Sequence, residues 1–198
     1  MEVYEAAINR RSIREFKDTS VTYDILEKCV NAARLAPTAA NRQLCEHVIV
    51  DDENLLPRVF GTIRNWLGET RPAGGWPSGR RPTAYIVTLI ESELENKTEG
   101  KRINTMCDAA MAVENMALVA WESGLGSCVV RSYEEDELKE LLNIPDKYEI
   151  GLMLALGHPD ETIVTEELSD SYKLWVDSDG IRHVPKKKLA DILHRNKF

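Results

Sequence analysis

The sequence lacks an apolar run of the roughly 20 residues that a membrane-spanning helix needs. The stretch 1–16 also lacks the apolar core of a secretory signal. Positive charge is not in excess, since 25 Lys and Arg residues stand against 33 Asp and Glu residues and the net charge is −8. Such a chain has no general basic field for nucleic acid. We therefore expect a cytoplasmic protein that binds neither a membrane nor a nucleic acid.

Cysteine is scarce, and the common catalytic signatures are missing. The four cysteines form no C-x-x-C pair, and none stands beside a histidine at metal-ligand spacing. We expect them to be reduced, with Cys45, Cys107 and Cys128 as small core residues. The chain has no G-x-G-x-x-G, Walker A or G-x-S-x-G motif. The sequence therefore predicts no metal site, and it offers no candidate for a catalytic nucleophile or base.

Helices alternate with short buried strands along the chain. Apolar spacing predicts helices over 2–9, from Thr22 to the stop at Pro37, over 108–123, and after a capping box formed by Ser132 and Glu135. Short apolar runs predict strands over 47–50, 84–90, 127–130 and 150–156. This order is typical of a layered α/β or α+β structure, and the length favours one domain over 1–198.

The segment 61–82 differs from the rest of the chain in composition. It is rich in glycine, proline and tryptophan, and its second half is predicted to be a long irregular loop. Loops of this length inside a domain are usually functional or mobile. We interpret the segment as a lid or a loop insertion. Trp66 or Trp76 could close over a ligand, or both could pack on their own domain.

The helix predicted over 108–123 is apolar nearly all round, so it must be covered on nearly all sides. A partner subunit or a central position in a monomer's core would each supply the cover. The limited burial available in a small domain favours the partner subunit. On this interpretation a polar residue at Val113 should disrupt a dimer. Gly124 is predicted to end the helix in a left-handed conformation.

A cluster of cations near the N-terminus is the one candidate anion site. Arg10, Arg11 and Arg14 bracket Ser12, and guanidinium forks with a hydroxyl suit a phosphate dianion. A solvated basic turn is the alternative on spacing alone. The run Gly-Leu-Gly-Ser at 124–127 lacks the spacing of a phosphate loop, and by itself it indicates a helix end.

Taken in order, several segments resemble signatures of the nitroreductase family of flavoproteins. These are AINRRSIREF at 7–16, APTAANRQ at 36–43, DAAMA at 108–112 with GLGSC at 124–128, NIP at 143–145 and ALGHP at 155–159. The matches extend over most of the chain. One departure follows the second motif, where the family often continues Gln-Pro-Trp and this chain has Gln43-Leu44-Cys45.

The resemblance implies an α+β, three-layer sandwich with a central mixed, mainly antiparallel sheet. It also implies an intertwined homodimer in which each FMN contacts both subunits. Residues implied for cofactor binding are Arg10, Arg11, Ser12 and Arg14 from one subunit, Pro37, Thr38, Ala39 and Asn41 from the partner, and Val129, Val130 and Arg131 beside the flavin ring. Lys186 best matches a basic phosphate ligand of the family, with Lys187 as the alternative.

The activity implied is hydride transfer from NADH or NADPH to flavin, and then to a nitroaromatic, a quinone or a related small-molecule acceptor, by a ping-pong mechanism. The flavin carries the chemistry, and Arg14 would stabilise its reduced form electrostatically. Two alternatives remain open. One is a member of the family that acts on flavin itself or on halogenated aromatics, and the other is a non-enzymatic flavin-binding or sensor protein.

Overall fold

The computed structural model describes residues 2–73, 79–91 and 99–198, and divides the chain into two compact units, 1–159 and 160–198. The helices are α1 Val3–Asn9, α2 Tyr23–Arg34, α3 Leu56–Thr62, α4 Glu99–Glu122 and α5 Glu135–Leu142. The strands are β1 Cys45–Val50, β2 Asn65–Trp66, β3 Glu69–Thr70, β4 Ala84–Glu91, β5 Gly126–Val130, β6 Tyr148–Gly157, β7 Ile163–Glu167, β8 Trp175–Val176 and β9 Arg182–Lys186. Within these ranges, no helix has the length and apolar character needed to cross a membrane.

A four-stranded sheet in the order β1-β4-β6-β5 forms the centre of the first unit. All three strand pairs are antiparallel, which agrees with the predicted mainly antiparallel sheet. Among the described pairings of this sheet, the one parallel contact is an isolated bridge between Ser12 and Ser127 at the β5 edge. Seven consecutive residues of β4 are buried. A strand that is buried on both faces has a continuous apolar sequence. For this reason the apolar run at 84–90 predicted β4 correctly.

Helices α2 and α4 cover one face of the sheet. Their inward side chains, such as Leu26 on α2 and Met116 on α4, join Ile86 and Leu154 of the sheet in one buried cluster. Tyr85, next to Ile86 on β4, points to the opposite face because side chains alternate along a strand, and it too is fully buried. Both faces are therefore covered, as the predicted sandwich requires.

The capping box predicted at Ser132 and Glu135 is wrong. Helix α5 has Glu134 as its N-cap, and neither predicted partner caps it. The Ser132 hydroxyl instead accepts a hydrogen bond from the Asn65 side chain at 2.8 Å. The Glu135 carboxylate accepts one from the backbone N–H of Ile150 at 3.1 Å. Hydrogen bonds to distant segments have taken the place of the local pattern.

The second unit is a three-stranded sheet in the order β7-β9-β8, with β7 and β9 parallel. His183 on β9 links its three strands. Its ring stacks on Trp175 of β8 at a centroid distance of 3.8 Å, and its two nitrogens lie 3.2 Å from Asp177 and 3.2 Å from Glu166 of β7. The hydrogen bond to Asp177, followed by that to Glu166, raises the pKa of His183.

Candidate functional site

The arginine cluster lies along the outer edge of the central sheet. The backbone N–H of Ile13 donates to the carbonyl of Ser127 on β5 at 2.9 Å. Ile13 and Phe16 are buried, whereas Arg10, Arg11, Ser12 and Arg14 are half-buried. The buried residues therefore anchor the segment and leave the candidate ligands at the surface beside β5.

Two glycines make this close approach possible. A Cβ atom on Gly126 would lie 2.7 Å from Cβ of Ile13, and a Cβ atom on Gly157 would lie 2.8 Å from Cδ1 of Phe16. Gly124 has a φ of +78°, which confirms the predicted left-handed helix end. In the run Gly-Leu-Gly-Ser, the first glycine thus ends α4 and the second admits the arginine segment.

Gly126→Ala is therefore expected to displace the arginine segment and to weaken anion binding. Crowding of this kind typically lowers the free energy of unfolding by about 1–3 kcal/mol. Thermal unfolding of the wild type and of Gly126→Ala measures this loss of stability. Gly61→Ala is the matched control, since a Cβ atom there meets nothing within 4 Å and the residue lies inside α3. An unchanged melting temperature in Gly126→Ala would contradict the packing argument.

Each of the three arginine side chains already has hydrogen-bond acceptors. Arg10 Nε lies 3.2 Å from the Glu114 carboxylate on α4. Arg11 Nη1 donates to the carbonyls of Ile8 and Arg10, each at 2.7 Å. Arg14 Nη1 donates to the carbonyl of Ser12 at 3.3 Å. Partial burial, and then the charge of Arg10, lower the pKa of Arg11. A bound anion between these cations would offset their mutual repulsion.

The loop with Pro37, Thr38, Ala39 and Asn41 is held on α4, at a different point from the arginines. The backbone N–H of Ala39 lies 3.1 Å from each carboxylate oxygen of Asp108. Glu114, which contacts Arg10, lies about 9 Å further along the helix axis at 1.5 Å per residue. No role for Asp108 was predicted from the sequence, although a carboxylate at the start of the apolar stretch of α4 is itself a signal of a buried polar contact.

Of the three residues predicted to lie beside the flavin ring at the end of β5, two have exposed side chains. Val129 is exposed by 43%, and Arg131 is exposed with its Cζ atom 5.8 Å from the centre of the Tyr133 ring. Val130 is 5% exposed, so its side chain belongs to the core rather than to a ligand site.

Trp66 of the β2–β3 hairpin is packed on its own unit. Its ring meets Phe60 edge to face at 5.5 Å, and its Nε1–H donates to the backbone carbonyl of Arg14 at 3.2 Å. Of the two alternatives for this tryptophan, the structure supports packing on the domain. A pocket of about 170 Å³ beside Arg14 is lined partly by Trp66 and Leu67. Trp76 lies outside the described residues.

Lys186 and Lys187 belong to the second unit. Lys186 is the last residue of β9 and pairs with Glu167 of β7 in the sheet register. The Nζ atom of Lys187 lies 6.0 Å from the centre of the Tyr172 ring. Assignment of either lysine to a phosphate stays a prediction.

Helix α4 has a second apolar face that the described residues leave uncovered. Ile103, Cys107, Ala110 and Met111 are exposed on it. The expectation that Cys107 is a core residue is therefore wrong. Val113 is only 2% exposed and belongs to the core cluster with α2, so a polar residue there would disturb the monomer itself. The helix is thus apolar all round because it has one face for its own sheet and another still open.

Comparison with known proteins relates the first unit to one family. The model of the Nitroreductase family matches residues 7–158. Protein DrgA of Synechocystis is 28% identical, with 86% of this chain and 90% of that protein covered. An NADPH-dependent oxidoreductase of Staphylococcus aureus is 26% identical, with 99% and 74% covered. The structure of an FMN-dependent nitroreductase from Clostridium difficile is 25% identical and has a TM-score of 0.68, with 98% and 99% covered.

Proposed function

This chain belongs to the nitroreductase family, and on that premise we propose that it is an FMN-dependent oxidoreductase. It takes hydride from NADH or NADPH and passes it to a nitroaromatic, a quinone or a related acceptor. The observation that carries the proposal is the arginine segment at the β5 edge. Arg10, Arg11, Ser12 and Arg14 lie within five positions on it and are half-buried, so a phosphate-bearing ligand can reach them. The NADPH-dependent and FMN-dependent names of two relatives support the assignment.

The donor set fits FMN in two respects. Its phosphate needs several cationic donors, which the guanidinium forks supply. Its ring needs an apolar surface near these donors, and exposed Val129 lies on β5, the strand to which Ile13 is bonded. Bound FMN supplies the hydride-transfer chemistry. Arg14 contributes a fixed positive charge beside the cofactor, which favours negative charge on it.

We further propose that the active form is an intertwined homodimer. The exposed apolar face of α4 needs a cover of matching character, and a second copy of the same helix provides one. The second unit, described by itself, also exposes apolar side chains, among them Tyr172, Leu174 and Leu189. In this dimer Pro37, Thr38, Ala39 and Asn41 approach the partner's FMN. Lys186 or Lys187 reaches a phosphate group.

An absorption spectrum of the freshly purified protein tests the proposal. We expect the two bands of an oxidised flavin, bleached under anaerobic conditions by NADH or NADPH and restored by a nitroaromatic or a quinone. Initial rates against both substrates should give the parallel double-reciprocal lines of a ping-pong mechanism.

The other outcomes are equally informative. A yellow protein that neither nucleotide bleaches would favour a flavin-binding or sensor protein. A colourless protein that added FMN does not reconstitute would overturn the proposal. Bleaching by only one nucleotide would identify the electron donor.

A further inference from the structure

The loop 38–43 is held in an unfavourable backbone conformation. Ala40, Asn41 and Gln43 have φ values of 54°, 55° and 53°. Residues with a side chain rarely adopt this left-handed region, and asparagine is the one residue of the three that tolerates it well. Three such residues within four positions indicate a loop that is over-determined by its surroundings.

The contacts that hold the loop converge on Ala39. Its N–H lies 3.1 Å from both carboxylate oxygens of Asp108, and its carbonyl accepts a hydrogen bond from Arg42 Nε at 3.3 Å. The Thr38 hydroxyl accepts a hydrogen bond from the N–H of Gln43 at 3.3 Å. Of these acceptors, only Asp108 belongs to a different element, so it alone fixes the loop to the rest of the molecule through these bonds.

The Asp108 carboxylate is placed where its bond is strong. The residue is 4% exposed, and a charged acceptor in a poorly hydrated site binds an N–H more tightly than a neutral one. Its charge also reaches Cys45 at the other end of the loop. There, burial and then the charge of Asp108 raise the pKa of the thiol to about 11.

We propose that Asp108 is a positioning residue for cofactor binding: its carboxylate holds the loop 38–43 in the conformation that meets FMN, without touching FMN itself. The part concerning FMN rests on the proposed function. Because Asp108 lies beside Cys107 on α4, the same helix turn carries the loop on one side and the open apolar face on the other.

Limited proteolysis of the cofactor-free protein tests whether Asp108 holds the loop 38–43, a contact called the clamp below. Trypsin cleaves after Arg42, inside the loop, and the rate follows the population of open loop when opening is fast. Asp108→Ala should raise this rate about tenfold or more, as expected for loss of a charge-assisted hydrogen bond. Asp108→Asn keeps the shape and an acceptor but not the charge, so its rate should lie between. Asn104→Ala, an exposed change on the same helix, is the control.

FMN affinity is then measured on the same variants by quenching of flavin fluorescence. We expect affinity to fall about tenfold in Asp108→Ala and less in Asp108→Asn, in the order of their cleavage rates. A wild-type cleavage rate in Asp108→Ala would overturn the clamp. If that variant does not fold, a wild-type rate in Asp108→Asn would do so.

The two proposals fail separately. Faster cleavage with unchanged FMN affinity would overturn the positioning role while leaving the clamp. A wild-type protein that binds no FMN would overturn the proposed function, and the cleavage rates would still decide whether Asp108 holds the loop.

Discussion

Arg10→Ala combined with Arg14→Ala is expected to release FMN from a protein that stays folded. Each half-buried guanidinium can give the phosphate or the ring edge a charge-assisted hydrogen bond, worth about 1.5–3 kcal/mol. Loss of both should weaken FMN binding by about 10²–10⁴-fold. Equilibrium titration of the cofactor-free variant with FMN measures the change.

The fold should survive because other residues anchor the segment. Ile13 and Phe16 are buried, and the backbone bond from Ile13 to Ser127 is unaffected by either substitution. Trp66 bonds to the backbone carbonyl of Arg14, which alanine retains. The ion pair of Arg10 with Glu114 is partly exposed, and such pairs contribute about 0–1 kcal/mol.

A matched control removes two positive charges from another surface. Lys28 and Arg34 are exposed on α2, and replacing both with alanine changes the net charge equally. This control should keep FMN at wild-type affinity. If the Arg10 and Arg14 double variant also keeps stoichiometric flavin, the phosphate assignment is wrong.

The elements predicted best from the sequence are those whose signal is local. Strand β4 is buried on both faces, so its apolar run identified it almost residue for residue. Gly124 was identified because a left-handed helix end favours glycine. The box at Ser132 and Glu135 failed because both side chains accept hydrogen bonds from distant segments, which a local motif does not contain.

The candidate site divides in the same way. The motif at 7–16 predicted Arg10, Arg11, Ser12 and Arg14 as candidate ligands because they lie within five positions of one another. The hydrogen bond that the N–H of Ala39 donates to Asp108 spans 69 residues, and no spacing rule predicts it. Helical periodicity likewise could not separate Val113 from Met111, because the core face and the open face of α4 are both apolar.

Met111→Glu is expected to convert the proposed dimer into monomers that have lost FMN. Met111 is 38% exposed on the open face of α4, with Ile103 and Ala110 on the same face. A two-fold axis would place two such carboxylates in one interface, each costing several kcal/mol to bury unpaired. The dimer dissociation constant should therefore rise about 10³-fold or more. Analytical ultracentrifugation over a range of concentrations measures it.

The control for added charge is Asn31→Glu, an exposed change on α2 that also adds one negative charge. It should remain dimeric and yellow. Val113→Glu distinguishes the core face of α4 from its open face. A charge in the core cluster should unfold the subunit rather than convert the dimer into folded monomers. Far-ultraviolet circular dichroism distinguishes a folded monomer from an unfolded chain.

The flavin content of the Met111→Glu monomer tests whether FMN binding needs the proposed dimer. If Pro37 and the loop 38–43 complete the partner's site, a folded monomer loses flavin although its own arginine cluster is intact. A folded monomer that stays yellow would show that one subunit holds FMN alone, and would remove Pro37, Thr38, Ala39 and Asn41 from the site. A variant that remains both dimeric and yellow would contradict the proposed interface, because an unpaired carboxylate buried in it could not be tolerated.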